Sequence, residues 1–172
     1  MPVGRAPVIT LILGGARSGK SAYAERLIMR QPLPVTYVAT LHVGDDPDLS
    51  ARVERHRERR PPTWHTIEAG FDLAEVLRTT GGAVLLESLG PWVAGHGEGA
   101  AVDAAAICRA LAERNGETVV VSEEVGLGVH PSSEMGRQFR DALGALNQAV
   151  AVAADKVLLV VAGRALRLDE EP

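Results

Sequence analysis

The stretch VITLILGGARSGKSAYAERLIMR (8–30) decides the fold. VITLIL (8–13) is a short apolar run ending in glycines, which reads as a buried strand. SAYAERLIMR (21–30) has helical spacing, with Ala24, Leu27 and Ile28 on one face. Between them GGARSGKS (14–21) satisfies G-x-x-x-x-G-K-[ST], with Gly14, Gly19, Lys20 and Ser21 in the defining places. Phosphate oxygens are met there by backbone N–H groups that turn inward, so the tightest points need residues without Cβ. Lys20 then reaches the β- and γ-phosphates, Ser21 ligates Mg²⁺, and the following helix adds its N-terminal dipole. A chance glycine turn would not need a strand before it and a helix after it. The stretch predicts a nucleoside triphosphate site.

Outward from this loop the chain alternates. PVTYVAT (34–40), WHTIEA (64–69), AVLLE (83–87), TVVVSEE (118–124) and DKVLLVVAG (155–163) read as strands. Helical patterns cover ARVERHRERR (51–60), FDLAEVLRT from near Gly70, AAVDAAAICRALAERN (100–115) and about 133–154. GDDPDLS offers a cap for the first of these at Asp46 or Asp48, and the prolines at 61–62 end it. Strands that are apolar throughout, separated by helices, predict an α/β fold with a mostly parallel sheet covered on both faces. One domain is expected over 1–172, with 1–7 and 168–172 frayed.

Composition narrows the class. The net charge is −4, which argues against a general nucleic-acid-binding surface, and no apolar run approaches a membrane span. The lone Cys108 excludes an internal disulfide and fits a reducing cytoplasm, and no leader-like segment precedes the first strand. A switch GTPase would carry Asn-Lys-x-Asp, which is missing, and DALG (141–144) sits inside a helical run. A small kinase or nucleotidyl transferase fits best. Such a site wants a second acid at the end of a neighbouring strand, and Glu87, Glu123 and Glu124 all qualify.

ARVERHRERR puts five arginines and His56 into ten residues. Helical spacing groups Arg52, His56 and Arg60 on one face with Arg59 beside them, whereas Arg55 and Arg57 point elsewhere, near Glu54 and Glu58. Surrounding cations keep an imidazole neutral, the form able to attack phosphorus, and arginines can hold a triphosphate. The same spacing also suits a solvated helix with an incidental histidine, and periodicity alone leaves both open.

The pieces together resemble the bifunctional adenosylcobinamide kinase/adenosylcobinamide-phosphate guanylyltransferase family of cobalamin biosynthesis. The matching segments are LGGARSGKSAYAE (13–25), YVAT (37–40), ARVERH through RRPPTWHTIE (51–68), VLLES (84–88), SEEVGLGVHP (122–131) and FRDALGALNQAVAVAADKVLLVVAG (139–163). The resemblance implies a RecA-like P-loop domain, commonly a homotrimer, with Mg²⁺ and with ATP and GTP as substrates. It implies phosphorylation of the aminopropanol hydroxyl of adenosylcobinamide, then transfer of GMP from GTP through a guanylylated histidine to form adenosylcobinamide-GDP. By motif position the histidine is His56, and Lys20 serves the phosphate loop. Nucleotide contacts map onto Gly14, Gly15, Ala16, Arg17, Ser18, Gly19, Lys20, Ser21, Ala39, Thr40, Arg57, Glu58, Arg59, Arg60, Glu68 and Glu87, and metal contacts onto Ser21 and Glu87. This chain departs from the usual pattern at Glu123 (often Asn), at Glu87 (often Asp) and at His130 (usually apolar). GPWVAGHGEGA (90–100) is glycine-rich and shorter than expected.

Overall fold

The computed structural model describes residues 8–32, 34–41, 53–54, 57–58, 60–97 and 102–168. Within them the elements run β1 (Ile9–Gly14), α1 (Lys20–Ile28), β2 (Val35–Ala39), β3 (His65–Glu68), α2 (Leu73–Thr79) and β4 (Ala83–Glu87). There follow α3 (Leu89–Gly95), α4 (Ala104–Glu113), β5 (Thr118–Glu123), α5 (Glu134–Ala153), β6 (Lys156–Val161) and β7 (Arg164–Leu168). Residues 53–54 and 57–58 are also helical, as the arginine-rich pattern expects.

The strands form one sheet in the order β3-β2-β4-β5-β1-β6-β7, with the first six parallel and β7 antiparallel. Alternation along the strands sends Leu11 and Leu86 to one face, Ile12 and Leu85 to the other. The first face is covered by α2, α4 and α5 through Leu73, Leu77, Leu111, Leu143 and Leu146, all fully buried. Leu143 belongs to DALG, so that segment is core helix. The second face carries α1, which packs Ala24 and Ile28 against Tyr37 and Val121. Burial of each such aliphatic side chain contributes about 1.5–3 kcal/mol.

Local chemistry sets the helix ends. Asp72, Asp103 and Ser133 cap α2, α4 and α5 by accepting from the N–H of Glu75 (3.2 Å), Ala106 (2.8 Å) and Gly136 (3.1 Å). At the far end of α2, the buried Arg114 donates to the carbonyls of Leu77 (2.9 Å), Thr80 and Gly82 (2.7 Å), and to Thr118 Oγ1 (3.0 Å). One cation thus satisfies carbonyls that the helix cannot.

Two readings are corrected, and one segment that the sequence left unassigned is placed. The last strand does not end the sheet, because β6 turns at Ala162 (φ 50°) and Gly163 (φ 72°) into β7. Two successive residues at positive φ make the tight hairpin turn, and Leu168 pairs with Val157 where a frayed end was expected. The glycine-rich segment after residue 89 opens as a helix, α3. Finally, α2 starts at Leu73, not near Gly70, because Asp72 is its cap.

Candidate nucleotide site

Register gathers the strand ends. Gly14 lies opposite Glu123, and Ala39 lies opposite both Glu68 and Glu87, so these residues share the C-terminal rim of the sheet. Ligand sites of open α/β sheets form at this rim.

The phosphate loop leaves β1 at Gly14, where a Cβ would come within 2.5 Å of Ser18 Oγ and 2.8 Å of the Val160 carbonyl. It enters α1 through Gly19 at φ 91°, a left-handed conformation that disfavours any side chain. Gly19 supplies no side-chain cap, Lys20 N–H donates to Ser18 Oγ at 3.3 Å, and the positive end of α1 faces the loop, where it favours an anion. The hairpin turn buttresses the loop, Gly163 N–H donating to the Ser18 carbonyl at 2.7 Å.

Beside the loop is a cavity of about 560 Å³. Of the residues singled out from sequence, Ala16, Lys20, Ser21, Ala39, Arg57, Arg60, Glu68 and Glu87 line it. Gly14, Gly15, Arg17, Ser18 and Gly19 form the loop without lining the cavity, and Glu58 is exposed outside it. Thr40 is buried instead as a clamp, accepting from Ser88 N–H at 2.8 Å and donating to the Ser88 carbonyl. Arg57, set by spacing near Glu54 and Glu58 and by resemblance among the nucleotide contacts, pairs with Glu54 at 3.5 Å and lines the cavity. His56 and Arg59 lie outside the described residues, as do Asp46, Asp48, residues 1–7 and 169–172.

The three candidate acids separate cleanly. Ser21 Oγ donates to Glu87 Oε1, while Glu87 Oε2 is buried with no hydrogen-bond partner among the described residues. Burial above all pushes the Glu87 carboxyl up to about 7; Glu25 and Glu123 add to this, and the Ser21 bond and Lys20 oppose it. Glu123 serves differently. It pairs with Lys20 Nζ at 3.6 Å and accepts from Ser88 Oγ and Gly90 N–H, each at 3.0 Å. Glu124 folds back on its own loop, accepting from Gly126 N–H and Leu127 N–H.

Sequence reasoning missed a whole wall. Gly90, Pro91 and Ala94 of α3 line the cavity, as do Tyr37, Val125 and Phe139. The Arg60 guanidinium lies 3.7 Å from the Tyr37 ring centroid and donates to Thr66 Oγ1 at 3.2 Å. Nothing short-range marks α3, since its glycine and proline read as loop.

This fold and loop define a RecA-like P-loop α/β domain. Among solved structures, the chain is similar to an ATPase from the type III secretion system of pathogenic bacteria, with TM-score 0.57 and 10% identity over 90% of this chain and 51% of the other. It is also similar to the flagellar accessory protein FlaH from Methanocaldococcus jannaschii, with TM-score 0.53 and 16% identity over 95% and 78%. The chain spans about half the length of the first. The model of the cobinamide kinase / cobinamide phosphate guanyltransferase family matches residues 10–168. The bifunctional adenosylcobalamin biosynthesis protein CobP of Pseudomonas aeruginosa is 39% identical, over 94% of this chain and 98% of its own. The corresponding CobU of Salmonella typhimurium is 35% identical over 94% and 99%. The chain belongs to the cobinamide kinase / cobinamide phosphate guanyltransferase family.

Proposed function

We propose that the protein phosphorylates the side-chain hydroxyl of adenosylcobinamide and then joins GMP to the product. The observation that carries this is the Ser21–Glu87 pair beside Lys20, with Glu87 Oε2 buried and unpartnered at the mouth of the phosphate loop. An orphaned buried carboxylate oxygen next to a hydroxyl fits a hard cation. No cluster of three or more acidic, histidine or cysteine side chains capable of holding a metal occurs among the described residues. Mg²⁺ takes most of its ligands from phosphates and water and needs few from the protein. Ser21 and Glu87 would hold it, and when bound it neutralises charge on the phosphate oxygens.

In the kinase step Lys20 shifts from Glu123 to the triphosphate, and the N–H groups of the loop and of α1 orient it. The alcohol oxygen bonds to the γ-phosphorus as the bond to the β-phosphate oxygen breaks, releasing the nucleoside diphosphate, and the hydroxyl proton leaves to water. In the second reaction His56 attacks the α-phosphorus of GTP and pyrophosphate leaves; the cobinamide phosphate oxygen then displaces the histidine. Arg57 and Arg60, which line the cavity, neutralise the departing pyrophosphate, with Arg59 three residues after His56 in the sequence. Ala39, Thr40 and Glu68 hold or frame the nucleotide from the strand ends. The working assembly is a homotrimer.

Incubation with α-labelled GTP and Mg²⁺ tests this reading. An acid-labile, alkali-resistant protein label that disappears in His56→Ala is expected. Absence of any covalent label under turnover conditions removes the guanylyl-histidine from the mechanism.

A further inference from the structure

A second cavity, of about 770 Å³, lies between α5 and the β6–β7 hairpin. It exceeds the nucleotide cavity and falls in the range of about 300–1,000 Å³ usual for ligand sites. We infer that it receives the corrinoid, holding the macrocycle while its hydroxyl arm reaches the phosphate loop. This rests on the reading given above of what the enzyme phosphorylates.

The first support is position. Glu124 and Val125 line both cavities, and Leu13, in the floor of the second, directly precedes Gly14 of the phosphate loop. The two cavities thus share a wall made by Glu124 and Val125. That partition is held firmly. Asn147 of α5 donates to the Glu123 carbonyl at 3.0 Å and accepts from Ser122 Oγ at 2.6 Å, fixing the end of β5 against the helix.

The second support is shape. Along α5, Gly144, Gln148, Ala151 and Val152 present one face to the cavity. Two of these are the smallest residues available, and a Cβ built on Gly144 meets nothing within 4 Å. The helix leaves room here instead of closing on the hairpin.

The third is chemistry. A corrinoid has broad apolar faces and a fringe of amides that both donate and accept hydrogen bonds. Val157, Leu168 and the 80%-exposed Val152 offer apolar surface. Around them stand Gln148, Asp155, Lys156 and Arg167, which match an amide fringe.

The experiment fills the cavity. Visible-absorbance titration with adenosylcobinamide and kinase assays with γ-labelled nucleotide are run on wild type and Gly144→Phe. The Gly144→Phe affinity and the reciprocal of its corrinoid KM are expected to fall about tenfold or more, with nucleotide affinity and saturated kcat little changed. Val152→Glu, on the exposed rim and outside the core, should weaken corrinoid binding in the same direction even if the phenylalanine disturbs folding. Wild-type turnover with unchanged corrinoid affinity in both variants overturns the site and leaves the proposed activity standing. A change of oligomeric state by light scattering with unchanged corrinoid KM assigns the cavity to a second copy and likewise overturns it. A wild type that neither binds nor phosphorylates the corrinoid overturns site and activity together.

Discussion

Glu87→Gln separates the stability of the folded chain from its charge at the site. Burial lifts the Glu87 carboxyl from an ordinary 4.5 to about 7, so the folded state holds this proton more tightly than the unfolded chain does. Where the folded state binds more protons, stability falls as pH rises. The contribution is intact below 4.5 and is lost progressively up to and through about 7. At about 1.4 kcal/mol per unit, the full loss is about 3 kcal/mol, and most of it falls between pH 5 and pH 8. Glutamine keeps the acceptor for Ser21 and cannot ionise. The variant should match wild type near pH 5 and exceed it by about 2–3 kcal/mol at pH 8, a difference of roughly 5–10 °C in Tm for a chain this size. Thermal melts of both proteins across this range, without nucleotide or divalent cation, provide the assay. Other titrating groups cancel in the difference. A difference in Tm that stays constant with pH would show that Glu87 ionises as easily in the fold as outside it. That result would also undo the orphan-carboxylate reading, since a solvated Glu87 needs no cation. The companion measurement is the Tm gain from Mg²⁺-nucleotide at pH 8, expected to be large for wild type and small for Glu87→Gln.

Lys20→Ala should cut phosphorylation of adenosylcobinamide by about 100-fold or more, read from transfer of γ-label; undiminished turnover would remove Lys20 from the phosphate site. Gly90→Ala places a Cβ 2.1 Å from Glu123 Oε2 and should displace the carboxylate that pairs with Lys20. Alanine ordinarily stabilises a helix by about 1 kcal/mol over glycine, so a Tm below wild type identifies the clash, with Gly144→Ala in α5, which meets nothing within 4 Å, as reference. Arg114→Met leaves the carbonyls of Leu77, Thr80 and Gly82 without their donor and should cost about 3 kcal/mol in urea unfolding, whereas a loss under 1 kcal/mol would mean that water replaces the guanidinium.

Legibility tracked the range of the interactions. The β1–loop–α1 unit reads directly, because strand alternation, glycine geometry and helix spacing are properties of neighbouring residues. β7 escaped because Ala162-Gly163 lacks the Asn-Gly or Asp-Gly signal of a two-residue hairpin, and alanine rarely adopts φ 50°. α3 escaped for a related reason. Gly90 is there because Glu123 occupies the space of a Cβ, and Pro91 sits in the first turn, where its missing N–H costs nothing. Both are consequences of packing that look, in sequence, like breaks. Arg57 was set beside Glu54 by helical spacing and among the nucleotide contacts by resemblance, and its pairing with Glu54 and its approach to the cavity coexist on one long side chain.

The sequence by itself determined the parallel α/β architecture, the phosphate loop and the family. Repeating patterns and spaced motifs carry the first two, which depend on local backbone preference, and the family rests on the resemblance of the motif residues. Only the tertiary structure decided which acid meets Ser21, since Glu87 arrives from 66 residues away through the pairing of β2 with β4 and of β4 with β5. It also decided that this carboxylate is desolvated while Glu123 is engaged with Lys20 and α3. Strand register and burial are set by the whole folded chain at once, and no stretch of residues encodes them alone.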